Sequence, residues 1–142
     1  MPETETNLTL QRFVEWTKIK VRLHVKEDSP YFHEGEMWWV CLGSNIGYEE
    51  DGKNAQFERP VLVLRKFNKH MFWAIPITSR VQNTFFHYKF KHNDNINALH
   101  LTQLKLLSSN RLLRKLGPFP KDNFTEVRQK ICDLIQNGPE NP

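Results

Sequence analysis

Cysteine is scarce in this 142-residue chain, with Cys41 and Cys132 the only two. They stand far apart, form no Cys-x-x-Cys pair and lie among apolar neighbours. That pattern gives no ground for a disulfide framework or a zinc ribbon and predicts two buried thiols. Cys41 has no obvious activating neighbour, which argues against a cysteine nucleophile. The six histidines are scattered, without His-Glu-x-x-His or a Cys/His cluster, so no metal site can be read. Gly-x-Gly-x-x-Gly and the phosphate-loop pattern are both missing, which argues against a nucleotide cofactor. No apolar run approaches the ~20 residues that cross a bilayer. The first eight residues are acidic and polar and do not resemble a secretory leader. The expectation is a cytoplasmic protein with no cofactor, no metal and no membrane contact.

What is present is ordinary in amount and informative in order. The length suits one domain with a real core. Phenylalanine (10) and tryptophan (4) are plentiful, and the net charge of +4 permits an anionic partner without demanding one.

Residues 1–30 read as an N-terminal helical extension and 31–142 as the main domain. Residues 1–8 are expected to fray. From about Thr9, Leu10, Phe13, Val14, Val21 and Val25 share one helical stripe, and Trp16, Ile19 and Leu23 share another. Beyond about Lys20 the reading stays open, because Ile19, Val21, Leu23 and Val25 also alternate as a strand would. Lys18, Lys20, Arg22 and Lys26 make this segment basic, as a solvated face or as contacts to RNA phosphates. Asp28-Ser29-Pro30 breaks the pattern.

Strands are predicted over 37–42, 59–64, 71–77, 85–90, 98–107 and 111–116, the last ending at Gly117-Pro118. A Gly- and acid-rich loop, 43–58, separates the first two, and Asn68-Lys69-His70 and His92-Asn93-Asp94-Asn95 are turns. Asp122 is a plausible N-cap for a helix over 123–136, with Phe124, Val127, Ile131 and Leu134 inward and Gly138 beyond its end. Short strands closed by a helix predict a mainly β fold, a small barrel. Trp38 and Trp39 must point to opposite faces, one into the core and one towards an interface or groove. Phe57, Trp73, Phe86 and Tyr88 can stack unpaired bases, although most such residues are core.

Arg59 stands at the mouth of one strand and Thr78-Ser79 at the end of the next. With Gly35-Glu36, Trp38-Trp39-Val40, Leu42-Gly43, Gly47-Tyr48-Glu49, the Arg-Pro-Val-Leu-Val-Leu run at 59–64, Pro-Ile-Thr-Ser at 76–79 and Gln103-Leu104-Lys105, the chain resembles the MazF/PemK family. These are the ribonuclease toxins of bacterial toxin–antitoxin pairs.

The resemblance implies an SH3-like β-barrel that forms homodimers. It implies metal-independent, sequence-selective cleavage of single-stranded RNA by 2′-OH attack, and an antitoxin partner. Arg59 falls on the family's essential arginine, suited to binding phosphate oxygens through its planar fork. Thr78 falls on the catalytic threonine, and Glu49 on a glutamate that serves as base or orients Arg59. Tyr48, Ser79, His100, Gln103 and Lys105 are the implied substrate contacts.

Departures accompany the match. Tyr48 stands where some members carry histidine, Glu50 where glutamine is usual, and Lys105 where arginine is usual. The segment 53–58 lengthens the loop. His100 is the one histidine nominated as acid or base. Simpler roles stay open: a structural ion pair for Arg59 with a loop carboxylate, a strand-end backbone bond for Thr78, and solvation for Glu49. So do two other functions, a non-catalytic binder that poisons a protein target such as DNA gyrase, and a plain nucleic-acid-binding module.

Overall fold

A strand with four apolar residues in succession must be covered on both faces, and the run 61–64 meets that demand. In the computed structural model, which describes residues 3–139, the chain runs α1 (Glu3–His24), β1 (Glu36–Cys41), β2 (Glu58–Lys66) and β3 (Met71–Thr78). There follow β4 (His87–His92), β5 (Asn95–His100), β6 (Lys105–Ser108), β7 (Leu112–Pro118) and α2 (Lys121–Asn137). Met37, Leu62, Leu64, Ile75 and Ile77 face one core, which Val127 and Ile131 of α2 close. Trp38, Val40, Val61, Val63, Phe72 and Ala74 face a second, closed by Phe32, Leu107 and Leu112.

The sheet is antiparallel and seven-stranded, in the order β4-β5-β3-β2-β1-β7, with β6 also on β3. One edge of β3 therefore carries two strands. β5 pairs with Ile77 and Thr78, and β6 with Met71 to Ala74. This is the mainly β, barrel-like fold that the sequence implies, with a helix at each end.

Particular boundaries differ from expectation. α1 begins at Glu3, not near Thr9, and runs to His24; Met1 and Pro2 lie outside the described residues. Glu3 and Glu5 in its first turn, and Arg22 and His24 in its last, complement the helix dipole. The helix prevails over the alternating strand because Trp16, Ile19 and Leu23 fall on one helical face and pack beside Cys41 and Phe57. Leu10, Val14, Val21 and Val25 stay exposed. Asn110 Nδ2 donates to the carbonyls of Leu23 (2.9 Å) and Lys26 (3.2 Å), holding the C-terminal end.

The strand predicted over 98–107 is broken by a 3₁₀ turn, Leu101–Gln103, where the chain passes from the β5 pairing to the β6 pairing. β4 starts at His87 rather than Phe85, after a turn in which the His87 N–H donates to the Thr84 carbonyl (3.2 Å). Asn93 and Asp94, both at positive φ (48° and 63°), make the two-residue turn into β5. β7 continues through Gly117 and Pro118, which pair with Met37 and Glu36. Pro120, not Asp122, is the N-cap of α2, so Asp122 sits in the first turn. The inward stripe of α2 is as expected. Cys41 is buried, but Cys132 is exposed, on the outer side of α2.

Three ionisable groups link this packing to acid stability. Burial pushes the Glu36 carboxyl up, but bonds from Lys115 (2.5 Å), the His33 N–H and Trp38 together hold it below the usual 4.5. Two bonds from Arg114 (3.0 and 3.1 Å) hold Glu58 below the same value. Burial, then the neighbouring His100, pushes His87 below the usual 6.5. A depressed folded value means that the unfolded chain takes up the proton first, so each group favours folding above its unfolded value. The melting temperature should therefore decline as pH falls below about 6.5 and more steeply below about 4.5. A thermal series from about pH 7 to about pH 3 checks this; a flat or rising profile contradicts it.

Candidate functional site

Between β1 and β2 the loop 43–57 is tied to itself. The Asn45 N–H donates to Asp51 Oδ1 (2.5 Å), and Asn45 Nδ2 donates to the Glu50 carbonyl (2.8 Å). From across the fold Gln103 holds the same loop twice: its Oε1 accepts the Glu50 N–H (3.0 Å) and its Nε2 donates to the Tyr48 carbonyl (2.7 Å). The 3₁₀ turn that interrupts the predicted strand is what carries Gln103. Its side chain meets loop backbone, so its observed work is to position the loop.

Arg59 stands at the mouth of β2, as the sequence implies, but is buried there, only 8% exposed. Nε donates to the Asp51 carbonyl (2.7 Å), Nη1 to the Ile77 carbonyl (3.3 Å), and Nη2 pairs with Glu50 Oε1 (2.8 Å). Glu50 Oε2 lies 3.2 Å from His100 Nδ1. One carboxylate thus bridges a guanidinium and an imidazole. The His87 ring stacks on His100, centroids 4.6 Å apart at 23°, and His87 Nδ1 lies 2.7 Å from Thr84 Oγ1.

The other predicted residues take varied places. Thr78 ends β3 beside the carbonyl that Arg59 holds, and its Oγ1 accepts the Arg80 N–H (3.1 Å). Ser79 lines a cavity of about 420 Å³ together with Trp39, Asn54, Arg59, His92 and Asn97. Arg59 is common to this cavity and to the Glu50–His100 chain. Glu49 does not meet Arg59; its Oε1 accepts the Ile46 N–H (3.1 Å). Tyr48 is fully exposed. Lys105 is half-buried, and burial, then the Arg111 charge, lowers its tendency to hold a proton, while Glu49 and Asp51 act the other way.

Trp38 enters the core, whereas Trp39 lines the cavity with the Arg114 guanidinium 4.8 Å from its ring. Of the four aromatics considered for stacking, Phe57 and Tyr88 are buried and Trp73 and Phe86 are exposed. The ion pair of Arg59 with a loop carboxylate is present and falls on Glu50, whereas nothing in the sequence marks His87. The acidic run Glu49-Glu50-Asp51 signalled a carboxylate near Arg59 but not which one, because loop backbone decides which side chain turns inward.

Among the described residues, no three His, Cys, Asp or Glu side chains converge as a metal site would require. None of the helices described is long and apolar enough to cross a membrane.

A small, barrel-like antiparallel sheet with a helix at each end is the fold, and an arginine–carboxylate–imidazole chain lies at its strand ends. The chain belongs to the PemK-like, MazF-like toxins of type II toxin–antitoxin systems, whose family profile matches residues 33–135. A crystal structure of MazF from Deinococcus radiodurans is similar at 25% identity and TM-score 0.62, over 77% of this chain and 98% of that one. A MazE-MazF structure from the same organism matches at 23% identity and TM-score 0.57, over 78% of this chain and 98% of that chain. The Mycobacterium tuberculosis toxin MazF-mt6 matches at 13% and 0.54, over 70% and 95%; at that identity the likeness concerns the fold alone. No curated protein matches the sequence.

Proposed function

We propose that this toxin is an endoribonuclease that cuts single-stranded RNA without a metal, leaving a 2′,3′-cyclic phosphate and a 5′-OH. The observation that carries this reading is Arg59, which joins an open cavity to the Glu50–His100 pair. RNA supplies its own nucleophile. The 2′-oxygen attacks the adjacent phosphorus, its proton passes to a base, the P–O5′ bond breaks, and the leaving oxygen takes up a proton. The protein must hold that geometry and stabilise the charge that gathers on phosphorus.

Arginine carries five N–H donors. In Arg59 three of the nitrogen positions already hold Asp51, Ile77 and Glu50; the remaining N–H groups of the two terminal nitrogens are the ones offered to phosphate. Those bonds fix the fork before substrate arrives, which is what preorganised charge stabilisation requires. Glu50 faces Nδ1 of His100, so Nε2 is the nitrogen assigned to proton transfer. Thr78 and Ser79 supply hydroxyls at the same strand ends. Glu49, turned towards Ile46, remains a candidate base only if the loop opens.

Incubation with a long single-stranded RNA in excess EDTA tests this directly. Cleavage should persist and the products should carry the cyclic and hydroxyl ends; activity that vanishes with chelator and returns with magnesium contradicts the mechanism. The MazE-MazF structures support an antitoxin for this chain too, and adding a mostly acidic antitoxin segment to the same assay should suppress cleavage. The reading also carries a homodimer, checked by sedimentation mass at micromolar concentration.

A further inference from the structure

Helix α1 precedes the matched residues 33–135, yet it reaches the loop that carries Glu50. Arg12 donates from Nη1 to the Asn54 carbonyl (2.6 Å) and from Nη2 to the Gly52 carbonyl (3.3 Å). Its guanidinium lies 3.6 Å from the centroid of the Phe57 ring. One helical turn later Trp16 packs on Phe57, with centroids 5.6 Å apart.

The neck of the loop is shaped for this seat. Gly43 adopts φ +92°, and a β-carbon there would stand 2.3 Å from the Trp16 ring. The Gly52 N–H donates to the Gly43 carbonyl (2.8 Å), and a β-carbon on Gly52 would stand 1.7 Å from the Phe57 carbonyl oxygen. Any other residue at Gly43 or Gly52 would force the neck or the helix to shift. Asp51, whose carbonyl holds Arg59 Nε (2.7 Å), is the residue immediately before Gly52.

We propose that Arg12 is a positioning residue for the reaction. It clamps the neck of the loop, and through it keeps the Asp51 carbonyl and the Glu50 carboxylate where Arg59 and His100 need them. This rests on the endoribonuclease reading. Arg12 touches no reacting atom. A charged donor makes stronger bonds to carbonyls than a neutral one, and a displacement of ~1 Å in a catalytic arrangement can cost ~10²-fold. A direct phosphate contact by Arg12 is the rival, and the carbonyls and Phe57 that already occupy its guanidinium weigh against it.

The test compares the wild-type chain with Arg12→Ala, Arg12→Lys and, as a control on the exposed face of α1, Thr17→Ala, whose wild-type hydroxyl donates to the Phe13 carbonyl (2.9 Å) within the helix. Single-turnover cleavage, affinity for a 2′-O-methyl RNA that cannot be cut, and amide hydrogen exchange are measured on each. Arg12→Ala should cleave about tenfold to ~10²-fold more slowly, bind the uncut RNA as wild type does, and exchange faster over 43–54 alone. Arg12→Lys should recover only part of the rate, because a point charge does not span two carbonyls. Thr17→Ala should match wild type throughout. A wild-type rate in Arg12→Ala overturns the proposal. So does lost RNA affinity that accounts for the slower rate, or exchange that rises evenly through β2 and β3. If the wild-type chain itself fails to cut RNA, the endoribonuclease reading falls on its own; unchanged exchange over 43–54 in Arg12→Ala would still overturn the clamp.

Discussion

Arg59→Ala is expected to slow cleavage by ~10²–10³-fold, the usual effect of losing one preorganised donor at a developing charge. Because Arg59 is buried and paired with Glu50 (2.8 Å), the variant should also melt earlier, since a partly buried carboxylate loses its counter-charge. Stability and rate must therefore be separated. Thr78→Ala helps, because among the described residues its hydroxyl is bonded only locally, to the Arg80 N–H, and the variant should lose cleavage with little change in melting temperature. Arg59→Lys should restore some stability but remain poor in rate, since a point charge lacks the planar fork. RNA affinity is expected to fall much less than rate in all three, because the net charge of +4 leaves other cations to attract phosphates. If Arg59 serves only as an ion pair, activity measured well below each variant's melting range will be near wild type, and that result removes the assignment.

The second large effect belongs to His100. His100→Ala should cost ~10²–10⁴-fold if the imidazole moves a proton in the reaction. Glu50→Gln probes the same step without emptying the site. A carboxylate at Nδ1 accepts a hydrogen bond from the Nδ1–H and leaves Nε2 free to accept a proton, whereas an amide can donate to Nδ1 and place the proton on Nε2. Exchanging the tautomer of a catalytic histidine is enough to cost several orders of magnitude in other enzymes. The two variants should thus both cut far more slowly than wild type in single turnover. Wild-type rates in both would eliminate His100 as the group that moves a proton.

Much of this geometry was legible as pattern and little of it as partnership. The apolar run 61–64 marked a strand, and the Phe124–Val127–Ile131–Leu134 spacing marked the inward side of α2. Arg59 and Thr78 could be placed because strand ends follow from strands. The choice of Glu50 over Glu49 was not legible, because three successive acidic residues differ only in where backbone torsion sends them. The break at Leu101–Gln103 was equally hidden. Apolar residues continue through it, and only the need to pair with two parts of β3 reveals a turn. Cys132 misled by its sequence neighbours, for Ile131 is buried while the next residue on the helix is not.

The double-sided burial of β2 and β3 has a consequence for how this chain can vary. A strand with one wet face tolerates polar exchange at every second position, but along 61–64 and 74–77 neither set of positions is wet. Drift that preserves the fold is therefore excluded from the middle of the hairpin and diverted to its ends. Those ends are where Arg59, Thr78 and the long loop lie. The framework that resists change thus concentrates variation in the loop and the rim, so on the endoribonuclease proposal chains with nearly the same interior can differ in the RNA sequences they recognise.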